Sequence, residues 1–318
     1  MPTIRVLVAY TPRVSGAVAD VPGLIEVAIA ETNRSYDNSA INARLQLVHS
    51  YQVSYTESGS FDTDLSYFRG NGDGRMDEVH TRRRQYCADV CVLLIDNSSY
   101  CGLASTIMAD AATAFAAVHY DCATGYYSFG HEIGHLMGAR HNPEADPTNT
   151  PYAYGHGYLH GPQFRTVMAY NCPGGCPRRD HWSNPGVSLM GFSTGTANHD
   201  NARVLNATAP VVANFVSLIS CLRIDWGRLR HLTELCRAVG CNAVLRAGED
   251  VANPSPEYLR AVKAGGPNAQ KLQALRKNAL QLILRAEQAS PTEQAQIEKQ
   301  AQSLNEQVQK LLALRTIR

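Results

Sequence analysis

The segment SFGHEIGHLMGARHN, residues 128–142, carries three imidazoles at positions 131, 135 and 141, a carboxylate beside the first and a glycine in the second gap. Four residues advance an α-helix by close to a full turn, so His131 and His135 project from one helical face. Two imidazoles stacked in this way can hold one zinc ion, at nitrogen–metal distances of about 2.0–2.1 Å. Glu132 lies about 100° further round the helix. From there its carboxylate flanks the pair and reaches a water held by the metal. The metal acidifies that water, and the carboxylate accepts its proton as it attacks a carbonyl. The proton then passes to the leaving nitrogen.

His141 would fall on the opposite side of a continued helix. The chain must turn after His135, and Gly138 supplies the positive-φ freedom of a helix C-terminus. Two ligands therefore come from a helix and the third from a loop. The fourth tetrahedral position stays open for water, which marks catalytic rather than structural zinc. An H-E-x-x-H pentapeptide alone is a common accident. The glycine and third histidine at fixed offsets make the pattern roughly a hundredfold rarer or more.

Such a segment needs a scaffold, and the flanking sequence supplies one. TIRVLVAY (3–10) is a β-rich run, and residues 21–39 have helical spacing at Leu24, Val27, Ala28 and Glu31. ARLQLVHSYQVSY (43–55) alternates like a half-buried strand, a helix is expected around 75–86, and ADVCVLLID (88–96) suits a central strand. AFAAVHY (114–120) is another strand, and the histidine helix follows at about 125–138. The order predicts an α/β (α+β) domain with a mixed twisted sheet and packed helices. Residues 142–200 are rich in Gly, Pro, Asn and His and predict an irregular lower subdomain. A closing helix is expected over 201–219, kinked at Pro210. The domain boundary falls near 217, leaving 1–217 as catalytic domain and 218–318 as an all-α region. That region ends in a helical hairpin with Leu272, Leu275, Ala279, Leu282, Ala286 and Ala289 on one arm and Ile297, Ala301, Leu304, Val308 and Leu311 on the other. SPTE (290–293) starts the second arm as a capping box. The hairpin packs on its neighbours or offers a surface for self-association or a protein partner.

The 318 residues are 44% hydrophobic and 18% charged, with net charge +1, which argues against disorder and gives no footprint for nucleic acid. No apolar run is long enough to span a membrane. Nine cysteines point to a secreted, disulfide-bearing protein. The N-terminus reads as a strand rather than a signal, so the expectation is a mature form without signal or pro-segment. Cys172 and Cys176 flank PGG and could close a small loop.

The full segment His131-Glu132-x-x-His135-x-x-Gly138-x-x-His141 resembles the zinc signature of the metzincin metalloendopeptidases. Met168 in FRTVMAYNC resembles the family's methionine turn below the metal. The closer resemblance, carried by TVMAY and HWSNPGVSLMGFSTGTANHDNARVLN, is to the reprolysin-like secreted bacterial enzymes, including the peptidyl-Asp metalloendopeptidases. It implies one catalytic Zn2+, an upper and a lower subdomain around a cleft, and protein or peptide substrates extended along the upper edge strand, for which 105–120 is the candidate. It also implies that the loop after Met168 walls the pocket following the scissile bond. Arg178 or Arg179 would there favour an acidic side chain; alternatively both are solvated beside Asp180. Tyr170, two residues past Met168, either stabilises the transition state or is a buried turn tyrosine. Asn142 stands where adamalysin-type enzymes carry Asp.

His156 and His160 raise a second metal site, against the plainer reading of loop histidines. GNGDGRMD (70–77) lacks the ligand spacing of a calcium loop and predicts a turn into a helix. Sequons occur at Asn33, Asn97 and Asn206. Two other uses of the site stay open: an amidase or esterase acting on a non-protein carbonyl, and a zinc-retaining binding protein without turnover.

Overall fold

In the computed structural model, residues 1–216 and 291–313 are described, together with six positions between 270 and 282. The chain divides into two compact units, Met1–Ser217 and Leu218–Arg318.

The first unit is built on five strands: β1 (Thr3–Tyr10), β2 (Arg44–Gln52), β3 (Val90–Ile95), β4 (Gly102–Ala104) and β5 (Phe115–His119). Their order is β2-β1-β3-β5-β4. The first four in this row run parallel, and β4 closes one edge antiparallel to β5. Side chains alternate across a strand, so a sheet covered on both faces needs apolar residues at every position. β3, VCVLLI, is buried throughout. Ile4, Val6, Val8, Val90, Val92 and Leu94 enter one core; Leu7, Ala9, Cys91, Leu93 and Ile95 enter the other.

The first core is covered by α2 (Val21–Asn38), α5 (Ser128–Leu136) and α6 (Asn201–Val212), the second by α3 (Phe61–Arg69) and α4 (Glu78–Gln85); a short α1 (Pro12–Ala17) follows β1. Asp20, Ser60 and Asp200 cap α2, α3 and α6 by accepting from backbone N–H groups of the first turn.

Several expectations change. α2 buries Val21, Ile25, Ala28, Thr32 and Ser35, whereas Val27 is half-exposed. Its inward hydroxyls bond helix carbonyls, Thr32 Oγ1 to Ala28 O and Ser35 Oγ to Thr32 O, so a polar stripe can face the core. α3 was not anticipated, and α6 stops at Val212, just past Pro210. The free edge of the sheet on this side is β4, not 105–120, since β5 pairs on both sides. GNGDGRMD is a turn before α4 as expected, with Asp77 accepting from Gly72 N and Gly74 N. The lower region is irregular as expected, with two-residue ribbons β6 (Leu159–His160), β7 (Phe164–Arg165), β8 (Ser188–Leu189) and β9 (Phe192–Ser193).

In the second unit the 291–313 arm is a helix, α7 (Pro291–Ala313), with Ile297 and Ala301 buried. The other arm lies largely outside the described residues, as does most of the expected all-α region. No observation supports self-association through it.

Candidate metal centre

α5 runs along the sheet beside β4 and α2, which brings its buried face to the mouth of the cleft. The helix stops where the sequence requires. Gly138 has φ +101°, and its N–H and that of Met108 both bond His135 O, at 2.9 Å each. The chain reverses and returns His141 to the helix. There Nε2 of His141 lies 3.1 Å from Nε2 of His131 and 2.9 Å from Nε2 of His135.

The remaining ring nitrogens fix the tautomers. His131 Nδ1 donates to Val167 O and His135 Nδ1 to Ala139 O, both at 2.9 Å, leaving their Nε2 lone pairs aimed at one point. Burial holds all three rings neutral, His135 down to about 4 and His141 to about 3, with His131 well below the usual histidine range. Three converging neutral donors fit a cation. A tetrahedral ion with bonds of about 2.0–2.1 Å holds its ligand atoms about 3.3 Å apart, close to the separations seen. Among the described residues this is the one cluster of its kind.

Glu132 is buried against β4. A Cβ at Gly102 would stand 2.5 Å from Glu132 Oε1, so only glycine leaves room for the carboxylate. Burial pushes the Glu132 carboxyl up to about 8; the Arg178 charge and a hydrogen bond from the Ala104 backbone oppose this. A divalent cation at the imidazoles would add a stronger opposing charge and favour the carboxylate. The cleft over these groups encloses about 420 Å³ and is lined also by Asp62, Tyr100, Leu103, Asp146 and Tyr170.

Met168 is fully buried beneath the helix; its Sδ is 3.1 Å from where a Gly134 Cβ would stand, and Trp182 is nearer still, at 2.5 Å. Gly134, between the two helical histidines, is what lets this floor come so close. Tyr170 is half-exposed rather than a buried turn residue, with its ring centroid 4.2 Å from that of His141. Asn142 Oδ1 accepts from Tyr170 N at 2.8 Å, so the amide at this position ties the third-histidine loop to the Met168 turn. Arg178 and Arg179 part company: Arg179 is exposed, while Arg178 donates to Tyr126 O and Ala169 O. Asp180 pairs with Arg34 at 3.0 Å.

His156 belongs to the scaffold and not to a second metal site. Its Nδ1 donates to His141 O at 2.8 Å, and Ser183 Oγ bonds His156 O at 2.6 Å. His160 stacks instead against Phe164 and Phe192. Removing the brace as His156→Ala is expected to weaken metal affinity by about 10–100-fold. Titration against a competing chelator measures this, and an unchanged affinity refutes it.

Sequence reasoning did not single out His156 in this role, Gly102, or the buried Arg165, whose guanidinium also donates to Ala169 O. An arginine in an irregular polar stretch carries no spacing signal that separates buried from solvated.

Residues 2–183 match the family described as Reprolysin_5, metallo-peptidase family M12. Curated relatives named peptidyl-Asp metalloendopeptidase include those of Xanthomonas campestris pv. campestris, 53% identical over 67% of this chain and 52% of its own, and Stenotrophomonas maltophilia, 53% identical with the same coverage. That of Pseudomonas fragi is 42% identical over 58% of this chain and 99% of its own. A chain in the structure of a chaperone–substrate complex shares the fold, with TM-score 0.54 and 20% identity over 68% of this chain and 35% of its own. The present chain thus belongs to metallo-peptidase family M12, and the metzincin resemblance of its histidine segment stands. It spans about half the length of the first two relatives.

Proposed function

We propose that this chain is an exported zinc endopeptidase that hydrolyses internal peptide bonds and prefers an acidic residue after the cut. One observation carries the reading: three imidazole Nε2 atoms converge beside a buried glutamate at the free edge of a sheet. His131, His135 and His141 would hold the ion, and the donor set suits zinc. Bound there, zinc supplies Lewis acidity to a water and to the scissile carbonyl.

Everything else falls to the chain's own residues. β4 is an edge of the sheet, and a peptide added to it as a further strand would pass directly over Glu132. Glu132 accepts the proton of the attacking water and delivers it to the leaving amine, with no covalent intermediate. Tyr170, whose ring stands beside that of His141, would donate to the developing oxyanion. Met168 supports the imidazoles from below. The catalytic machinery would lie wholly within 1–217.

Arg178 supports the acidic preference, because its half-buried guanidinium lies near enough to Glu132 and His131 for its charge to act on both. The name shared by the relatives points the same way. The disulfides Cys101–Cys122 and Cys172–Cys176 support export to an oxidising compartment.

Cleavage-site profiling on a peptide library, with elemental analysis of the purified protein, tests the reading. The expected result is about one zinc per chain and enrichment of Asp or Glu after the cut. A protein that loads zinc but cuts no peptide would refute it.

A further inference from the structure

Two guanidiniums, that of Arg165 buried and that of Arg178 half-buried, stand behind the Met168 turn with no carboxylate in contact. Arg165 is 5% exposed and sits opposite Arg178, its neighbour in a parallel bridge, so both side chains leave the same face. They converge on one carbonyl: Arg165 Nη1 donates to Ala169 O at 3.0 Å and Arg178 Nη2 to the same oxygen at 3.3 Å. They also flank one ring, at 5.6 Å and 4.8 Å from the centroid of Tyr126. Arg165 Nη2 donates to the Tyr126 hydroxyl at 3.1 Å, and Arg178 Nη1 to Tyr126 O at 3.0 Å.

The charge is left over. Both Nε atoms are buried with no acceptor, and among the described residues no ion pair to a carboxylate involves either arginine. Two like charges held together out of water are costly unless an anion completes them. The phenol, having accepted from Arg165, keeps its own hydrogen to donate, and Tyr126 is half-exposed. Ala169, the shared acceptor, lies in sequence between Met168, which packs under α5, and Tyr170, which lines the cleft, so the cluster stands behind that wall.

We propose that Arg165, Arg178 and the phenol of Tyr126 form one dicationic pocket that takes the acidic side chain flanking the scissile bond. This rests on the endopeptidase reading and adds Arg165 and Tyr126 to the single arginine considered there. Arg178 and Tyr126 would touch the carboxylate, and Arg165 acts as a positioning residue that holds the phenol and adds the second charge.

The test compares kcat/KM on two peptides that differ only in Asp or Asn after the cut, for wild type, Arg178→Met, Arg165→Met, Arg165→Lys and Tyr126→Phe. A ratio taken on one sample cancels losses that fall equally on both peptides. Wild type is expected to favour Asp by about 30-fold or more, as for a desolvated charge pair. The ratio should fall below about 3-fold in both methionine variants and by several-fold in Tyr126→Phe. Arg165→Lys should restore part of it, since lysine keeps the charge but not the planar fork. Should Arg165→Met not fold, Tyr126→Phe, which loses one hydroxyl from a half-exposed ring, carries the test.

A ratio unmoved by Arg165→Met and Tyr126→Phe while Arg178→Met abolishes it overturns the proposal and leaves the endopeptidase reading intact. Equal losses on both peptides do the same. A wild type that cuts both peptides equally overturns the pocket and the acidic preference together, and one that cuts neither overturns the endopeptidase reading as well.

Discussion

Glu132→Gln is expected to lower kcat/KM on a peptide substrate by about 10²–10⁴-fold while zinc stays near one ion per chain. The two halves of this result have separate causes. The ion would be held by three imidazoles whose tautomers are set by Val167 O and Ala139 O, and Glu132 makes none of those bonds. Glutamine has the same shape, so it fits between Gly102 and the helix and keeps a carbonyl oxygen for the Ala104 N–H. It cannot accept a proton from water. Loss of turnover with metal retained therefore isolates proton transfer from metal binding. Steady-state kinetics with zinc analysis on the same preparation checks it. A variant keeping a tenth or more of wild-type activity removes Glu132 from the reaction, and a variant that loses zinc shows that the carboxylate acts on the site's structure instead.

Much of the centre was legible because its geometry is local. Four-residue spacing on a helix and a glycine that reverses the chain are short-range facts, and His131, His135, Gly138 and His141 are arranged as those facts require. β3 was equally plain, since burial on both faces demands an uninterrupted apolar run, and β1 has such a run over Val6–Ala9 after Arg5. Cys172 and Cys176, whose short separation allowed a small closed loop, form one. α3 did carry a signal, with Phe61, Leu65 and Phe68 at helical spacing after Ser60, but its Ser, Asp and Thr content masked it. β4 has three residues, too few for any period, and exists because β5 offers it a partner. The cationic cluster was invisible for another reason. Arg165, Arg178 and Tyr126 meet only when β7, the 177–179 segment and the loop before α5 are already assembled. Long-range polar contacts are fixed by tertiary structure, and residue type says only that they are affordable.

The same limit applies to the charge pair expected to matter most for stability. Asp89 is fully buried, and its carboxylate takes Arg5 Nη2 at 2.7 Å, Arg5 Nε at 2.9 Å and Arg5 N at 3.0 Å, with Val216 N at 3.2 Å. Arg5 Nη2 also donates to Val216 O at 2.6 Å, so the pair binds β1, the start of β3 and the end of the first unit. Asp89→Ala strands a buried guanidinium and is expected to destabilise by about 3–5 kcal/mol. For a unit of this size that lowers Tm by about 6–20 °C, measured by calorimetry. Arg5→Met with Asp89→Leu removes both charges and should recover much of the loss, because the cost lies in the uncompensated ion and not in a missing attraction. A double variant as unstable as Asp89→Ala would place the cost in lost packing instead, and a single variant melting within about 2 °C of wild type, less than about 1 kcal/mol at this size, would mean that the pair contributes little.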